Sequence, residues 1–151
     1  MTVICFVILA TALAAKELSV GDAVPAFAAN DQMGREFKFA PGPRFLLLGF
    51  DMNATKAANE KFTALGAGGL EKLGAVYVMD IHAMPGIARL FALPKMRKYP
   101  FRVILATTAE MLAPFPHQPE KITVLVLTPE GKVREIRYWN PVTETTATAF
   151  D

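Results

Sequence analysis

The chain has 151 residues, 52% of them apolar and 20% charged, with sixteen Lys and Arg against fourteen Asp and Glu and a formal net charge of +2. That balance supports one domain with a real core and excludes both a disordered tail and a polycationic nucleic-acid arm. A single cysteine, Cys5, excludes an intramolecular disulfide, a Cys-x-x-Cys redox pair and a thiolate zinc cage.

Residues 1–15 carry no charge, and only Thr2 and Thr11 interrupt their apolar run. The run is too short to span a bilayer as a helix, which takes about 20 residues. It ends in Ala12-Leu13-Ala14, a small-x-small pattern just before polar Lys16-Glu17, and reads as a secretory signal peptide over residues 1–14, with no basic residue ahead of it. Cleavage there leaves residues 15–151 as a single, cysteine-free domain, periplasmic or secreted, with no stable membrane span.

Two short extended pieces, residues 26–29 and 36–39, flank Asn30-Asp31-Gln32-Met33-Gly34, whose composition favours a tight turn. Residues 45–50 (FLLLGF) form a continuous apolar run, the pattern of a strand buried on both faces. Ala54, Ala57, Ala58, Phe62 and Leu65 then recur at helical spacing, with Asn53 as the N-cap and residues 66–69 ending the period. Residues 75–79 predict a second buried strand. Ile87, Leu90 and Phe91 mark a second amphipathic helix, starting near Pro85 and stopping near Pro94.

Residues 101–105 predict a third strand, and residues 113–119 an irregular, proline-studded stretch. Residues 122–127 are strongly β-prone, and Thr128-Pro129-Glu130-Gly131 turns them back into residues 133–139. Arg134, Glu135 and Arg137 predict that this last strand has a wet face or edge. A short terminal helix starts from about Val142, its propensity lowered by Thr143, Thr145, Thr146 and Thr148. The order predicts a layered α/β domain with a mixed sheet.

Val20-Gly21-Asp22-x-x-Pro25-x-Phe27, then Asp31-x-x-Gly34 and an apolar strand, resembles the opening of the peroxiredoxin and thiol:disulfide-interchange branch of the thioredoxin-like superfamily. The hairpin of residues 122–139 resembles that family's closing hairpin. The resemblance implies a thioredoxin-like fold: a central mixed β-sheet flanked by helices, closing with a β-hairpin and a short C-terminal helix. It also implies a catalytic cysteine at the start of the first long helix, where the free amides and the helix dipole stabilise a thiolate. Aligned as an interchange protein, Thr55 and Ala58 occupy the two cysteine positions; aligned as a peroxiredoxin Thr-x-x-Cys, Thr55 matches the threonine and Ala58 replaces the cysteine. A threonine hydroxyl without an adjacent base does not replace a thiolate. The family's cis-proline opposite the active-site loop has Pro119 as its nearest counterpart.

The ends of parallel strands form the default binding crevice of an open α/β sheet. Asp51, Asn53 and Thr55 should lie there after the first central strand, and Asp80 and His82 after the second; with Ala58 and Pro119 they make up the expected binding loop. In the bland reading Asp51 and Asn53 cap the first helix, while Asp80 and His82 begin a polar loop. A metal reading of Asp80, His82 and His117 lacks the three or four convergent ligands such a site needs, so no metal and no cofactor are expected. Lys95, Arg97, Lys98 and Arg102, interleaved with Met96, Tyr99 and Phe101, suit an acidic partner or phospholipid headgroups, or more simply a solvated loop surface. Met33, Met52, Met79, Met84, Met96 and Met111 share no period and read as core filler. Tyr138 and Trp139 are expected to pack under the C-terminal segment.

The expected function is therefore a binding module without thiol redox activity, for a periplasmic protein or peptide and not for nucleic acid. Two alternatives remain open at this point. One is an oxidoreductase using a non-thiol cofactor, similar to flavin dehydrogenases, although no Gly-x-Gly-x-x-Gly is present. The other is a structural envelope protein.

Overall fold

The computed structural model describes residues 16–151. The expected signal peptide and Cys5 lie outside the described residues. An N-terminal hairpin of β1 (Ala28–Asn30) and β2 (Glu36–Lys38) pairs antiparallel. β3 (Phe45–Gly49) leads into α1 (Met52–Ala64), then a single turn α2 (Gly69–Lys72), β4 (Ala75–Asp80) and α3 (Gly86–Met96). β5 (Ile104–Ala106), the short α4 (Ala109–Leu112), β6 (Ile122–Leu127), β7 (Val133–Trp139) and α5 (Thr146–Phe150) complete the chain.

The main sheet has the order β5-β4-β3-β6-β7. β3 pairs parallel with β4 and antiparallel with β6, so it is the hub, and all five of its residues are buried. Its alternation feeds two cores. Phe45 and Leu47 join Tyr77, Met79 and Val124 beneath α1, α3 and α5, with Phe62 at the centre. Leu46 and Leu48 join Val78, Ile104 and Leu125 on the other face, covered by Phe39, Leu112 and Phe115. Each fully covered Leu contributes roughly 2–3 kcal/mol of transfer free energy, and a strand apolar on both faces serves both layers.

The β6–β7 connection follows the expected turn: Gly131, at φ 80°, donates its amide to Thr128 O, and the register shifts by a bulge between Val126 and Leu127. β7 is the sheet edge, and Arg134 and Glu135 are exposed on it. Trp139 is 1% exposed, lies against Phe62 and donates its indole N–H to Thr145 O.

Several boundaries differ from the expectation. Asp51, not Asn53, is the N-cap of α1, because its Oδ1 accepts the Ala54 amide at 2.9 Å. α3 runs through Pro94 to Met96; the amide that proline removes lies on the exposed side, where the break in the ladder costs least. The apolar triad Ile87, Leu90 and Phe91 points outward, and α3 instead packs through Ala92, Leu93 and Met96. The terminal helix starts at Thr146, after a turn in which Asn140 O accepts the Thr143 and Glu144 amides. The third strand begins at Ile104, and residues 101–103 pair instead with Gln32, whose side chain donates to Phe101 O and accepts from the Val103 amide while its backbone amide donates to Val103 O.

Candidate functional site

Phe50 and Asp51 carry the chain from the end of β3 into α1. Asp51 satisfies two backbone amides at once. Its Oδ1 caps Ala54, and its Oδ2 accepts the Glu120 amide at 2.8 Å, tying the start of α1 to the loop before β6. Glu120 adopts φ 61°, in the left-handed region, and His117 stacks on Phe50 at 4.6 Å between ring centroids. The resemblance implied a cis-proline at this place; among the described residues no peptide bond is cis, Pro119 included. The two loops are joined by the Asp51–Glu120 hydrogen bond.

Thr55 and Ala58 lie deeper than the resemblance implied. Because α1 starts at Met52, the Thr55 amide already donates to Asp51 O, so it is not one of the helix's free N–H groups. The Thr55 hydroxyl donates to the carbonyls of Asp51 and Met52, and its methyl faces Gly49. A Cβ at Gly49 would lie 2.4 Å from Thr55 Cγ2, so only glycine lets α1 approach β3 this closely. Ala58 is fully buried in the core and touches no surface, which removes it from the expected binding loop.

The remaining expected residues divide between two adjoining hollows. A groove of about 580 Å³ between α1 and α3 includes Asp51, Thr55 and Asp80 at its walls, with Met79, Phe91 and Lys95. A shallower hollow of about 390 Å³ holds Asp51, Asn53 and Pro119 together with His117. Phe50 and Met52 form the ridge common to both. His82 lines neither. Its Nδ1 is 2.6 Å from Asp80 Oδ1, which also accepts the His82 amide, so the pair closes a local turn at the end of β4. Among the described residues no three His, Cys, Asp or Glu side chains gather as a metal site, and His117 is held apart on Phe50.

The groove continues along α1 into a second compartment of about 590 Å³, where Asn59 and Tyr99 face each other. Asn59 Nδ2 donates to the Tyr99 hydroxyl at 3.3 Å, while Asn59 Oδ1 is buried without a partner. Burial raises the Tyr99 hydroxyl above its ordinary pKa against the opposing Asn59 bond. Behind it Tyr77 is wholly buried, its hydroxyl also unpartnered and raised by burial and by Tyr99, so it stays a neutral phenol.

Solved structures share this architecture. A peroxiredoxin-like protein from Aquifex aeolicus superposes with a TM-score of 0.57 at 16% identity over 87% of this chain and 82% of its own. Peroxidoxin BcpB from Mycobacterium tuberculosis gives 0.55 at 18%, over 83% and 90%. A thio-disulfide isomerase from Thermus thermophilus gives 0.53 at 22%, over 80% and 87%. The chain has the thioredoxin-like fold. No family model matches its sequence, and no curated protein does.

Within this thioredoxin-like domain, sequence reasoning missed most of the groove. Met52, Met79, Met84 and Met96 all line its inner compartment, although they share no period. They converge because two follow or end central strands and two flank α3. The signal available was position: Met52 and Met79 stand at the carboxyl ends of β3 and β4, where an open sheet places its crevice. Asn59 and Tyr99, forty residues apart, carried no such signal.

The basic cluster also resolves differently from a uniform solvated loop. Arg102 Nε donates to Asp31 Oδ2 at 2.8 Å and its guanidinium lies over Phe37; Arg97 Nε donates to Gln32 O. Asp31, with its side chain fully covered, also accepts the Met33 and Arg35 amides and the Arg35 guanidinium. Burial pushes its pKa up, and the hydrogen bonds from Arg35, Arg102 and Met33 outweigh this and hold it below the ordinary value. These two arginines lock the N-terminal hairpin to the sheet edge, leaving Lys95 and Lys98 as the two members of this cluster without an ion-pair partner among the described residues.

Proposed function

We propose that this chain is an extracytoplasmic binding module, without thiol redox activity, that holds a protein or peptide segment in the groove between α1 and α3. The observation that carries this reading is the groove itself. It opens at the start of the first long helix, its apolar wall is built from adaptable methionines and Phe91, and Asn59 and Tyr99 line its inner compartment. The apolar wall suits a side chain of an extended segment. Thr55 and Ala58 supply no thiol, and the sole cysteine, Cys5, falls in the leader expected to be removed.

Two measurements test the proposal. Peroxide consumption and insulin disulfide reduction by the purified protein should stay at the buffer rate; turnover in either assay sinks the redox-inactive part. A random twelve-residue peptide library displayed on phage should enrich sequences with an apolar anchor, and Ala92→Trp, which fills the groove, should abolish their capture. Enrichment that survives Ala92→Trp, or no enrichment at all, overturns the groove as the binding site.

A further inference from the structure

Ile87, Leu90 and Phe91 are 71%, 73% and 77% exposed, and Pro94 is exposed one turn further on. At spacings i, i+3, i+4 and i+7 they form one continuous apolar stripe, and it faces away from the core. Three large apolar side chains side by side on a surface are not scattered exposure of the ordinary kind. The charges within the segment that carries the stripe all have one sign. Residues 81–109 contain no Asp or Glu but include Arg89, Lys95, Arg97, Lys98 and Arg102, in a chain whose net charge is only +2. Of the acids beside α3, Asp80 holds His82, Asp51 caps α1 and binds Glu120, and Glu60 lines the inner compartment on the core side of the helix; Arg97 and Arg102 are tied to the N-terminal hairpin, so Lys95 and Lys98 are the cations this segment offers a ligand.

We propose that the outer face of α3 is a docking surface for an anionic lipid bilayer. An amphipathic helix with bulky apolar residues toward the bilayer and cations at its flank lies in the headgroup plane, its apolar stripe among the upper acyl chains. The stripe lacks directional chemistry that would select a folded partner. Its one polar residue, Arg89, points its guanidinium back to the carbonyls of Ile81 and His82. A fluid anionic surface satisfies both the apolar stripe and the cations without shape matching.

The test uses the full chain carrying Cys5→Ser and Leu90→Cys, labelled at position 90 with an environment-sensitive nitrobenzoxadiazole dye. Vesicles of phosphatidylcholine with roughly 30% phosphatidylglycerol should raise the emission several-fold and shift it to the blue, and phosphatidylcholine alone should not. A label at Glu130→Cys, in the hairpin turn at the opposite end of the sheet, should stay silent, so that attachment through the leader alone is told apart. Lys98→Glu should weaken partitioning by about fivefold or more, and about 0.5 M salt should do likewise. Ala92→Trp, which blocks the groove, should leave the response intact; Phe91 borders both, and this variant tells lipid docking from peptide capture. A silent label at position 90 on anionic vesicles overturns the proposal, as does an equal response to both vesicle types. A rise with protein concentration in the absence of lipid also overturns it, by assigning the face to a second copy.

Discussion

Asp51 and Asp31 show how one carboxylate can organise two segments. Asp51 caps α1 and restrains the loop before β6, so Asp51→Ala should destabilise the fold by about 2 kcal/mol, one hydrogen bond from each partner. Asp51→Ser, which keeps a cap but cannot reach Glu120 as well, should cost about half as much; urea denaturation of both variants measures the difference. Asp31 is ionised more readily in the folded chain than in the unfolded one. Its stabilisation is therefore complete above the ordinary aspartate pKa of about 3.9 and is lost as pH falls through the lower folded value. Asp31→Asn should cost about 3 kcal/mol at neutral pH, because Arg102 and Arg35 lose their counter-charge, and should flatten the loss of stability below pH about 4. Urea midpoints measured across that range check the sign: a variant that loses stability in acid as steeply as the parent contradicts it.

At the scale of elements, the approach of α1 to β3 rests on a missing side chain. Gly49→Ala places a methyl 2.4 Å from Thr55 Cγ2 and should destabilise by about 2 kcal/mol. Thr55→Ser in the same chain removes the clashing methyl and should restore most of the loss, a coupling visible in a double-mutant cycle. The Gln32 side chain plays the corresponding part at the sheet edge, holding the residues just before β5 beside the Asp31–Ile104 bridge. Gln32→Ala should accelerate amide exchange at Val103 well beyond the change at Leu47 in β3, because the local opening costs less than global unfolding. α3 is the element whose sequence pattern misleads: its hydrophobic period is real, and it faces outward.

For the molecule as a whole, one sheet divides two cores that share β3 but few side-chain contacts. Phe62 belongs to the face under α1, and Phe115 to the face under the N-terminal hairpin. Phe62→Leu and Phe115→Leu should each cost about 1–2 kcal/mol and add within about 0.5 kcal/mol in thermal denaturation, since the sheet separates them. A large non-additive term would mean that the faces are coupled through β3. The groove opens, with the ridge of Phe50 and Met52, at the carboxyl end of the parallel strands, opposite the β6–β7 turn.

The strands were legible in the sequence because a run such as residues 45–50, apolar at every position, has few ways to satisfy burial except between two layers. The Thr-Pro-Glu-Gly turn was legible because its backbone geometry is chosen by local chemistry. The absence of a thiol pair needed no structure, since one cysteine cannot make one. The candidate site was legible only in outline. Asp51, Thr55 and Asp80 reach the same groove because they follow strand ends, whereas Ala58 falls in the core and His82 outside the hollows because helix phase and loop path decide where a side chain stands. Tertiary structure alone brought Asn59 to Tyr99, gathered four methionines from three segments and turned the stripe of α3 toward solvent. Periodicity records that a helix has an apolar side. Which side meets the core depends on what the rest of the chain has already filled, and here Ala92, Leu93 and Met96 occupy that space.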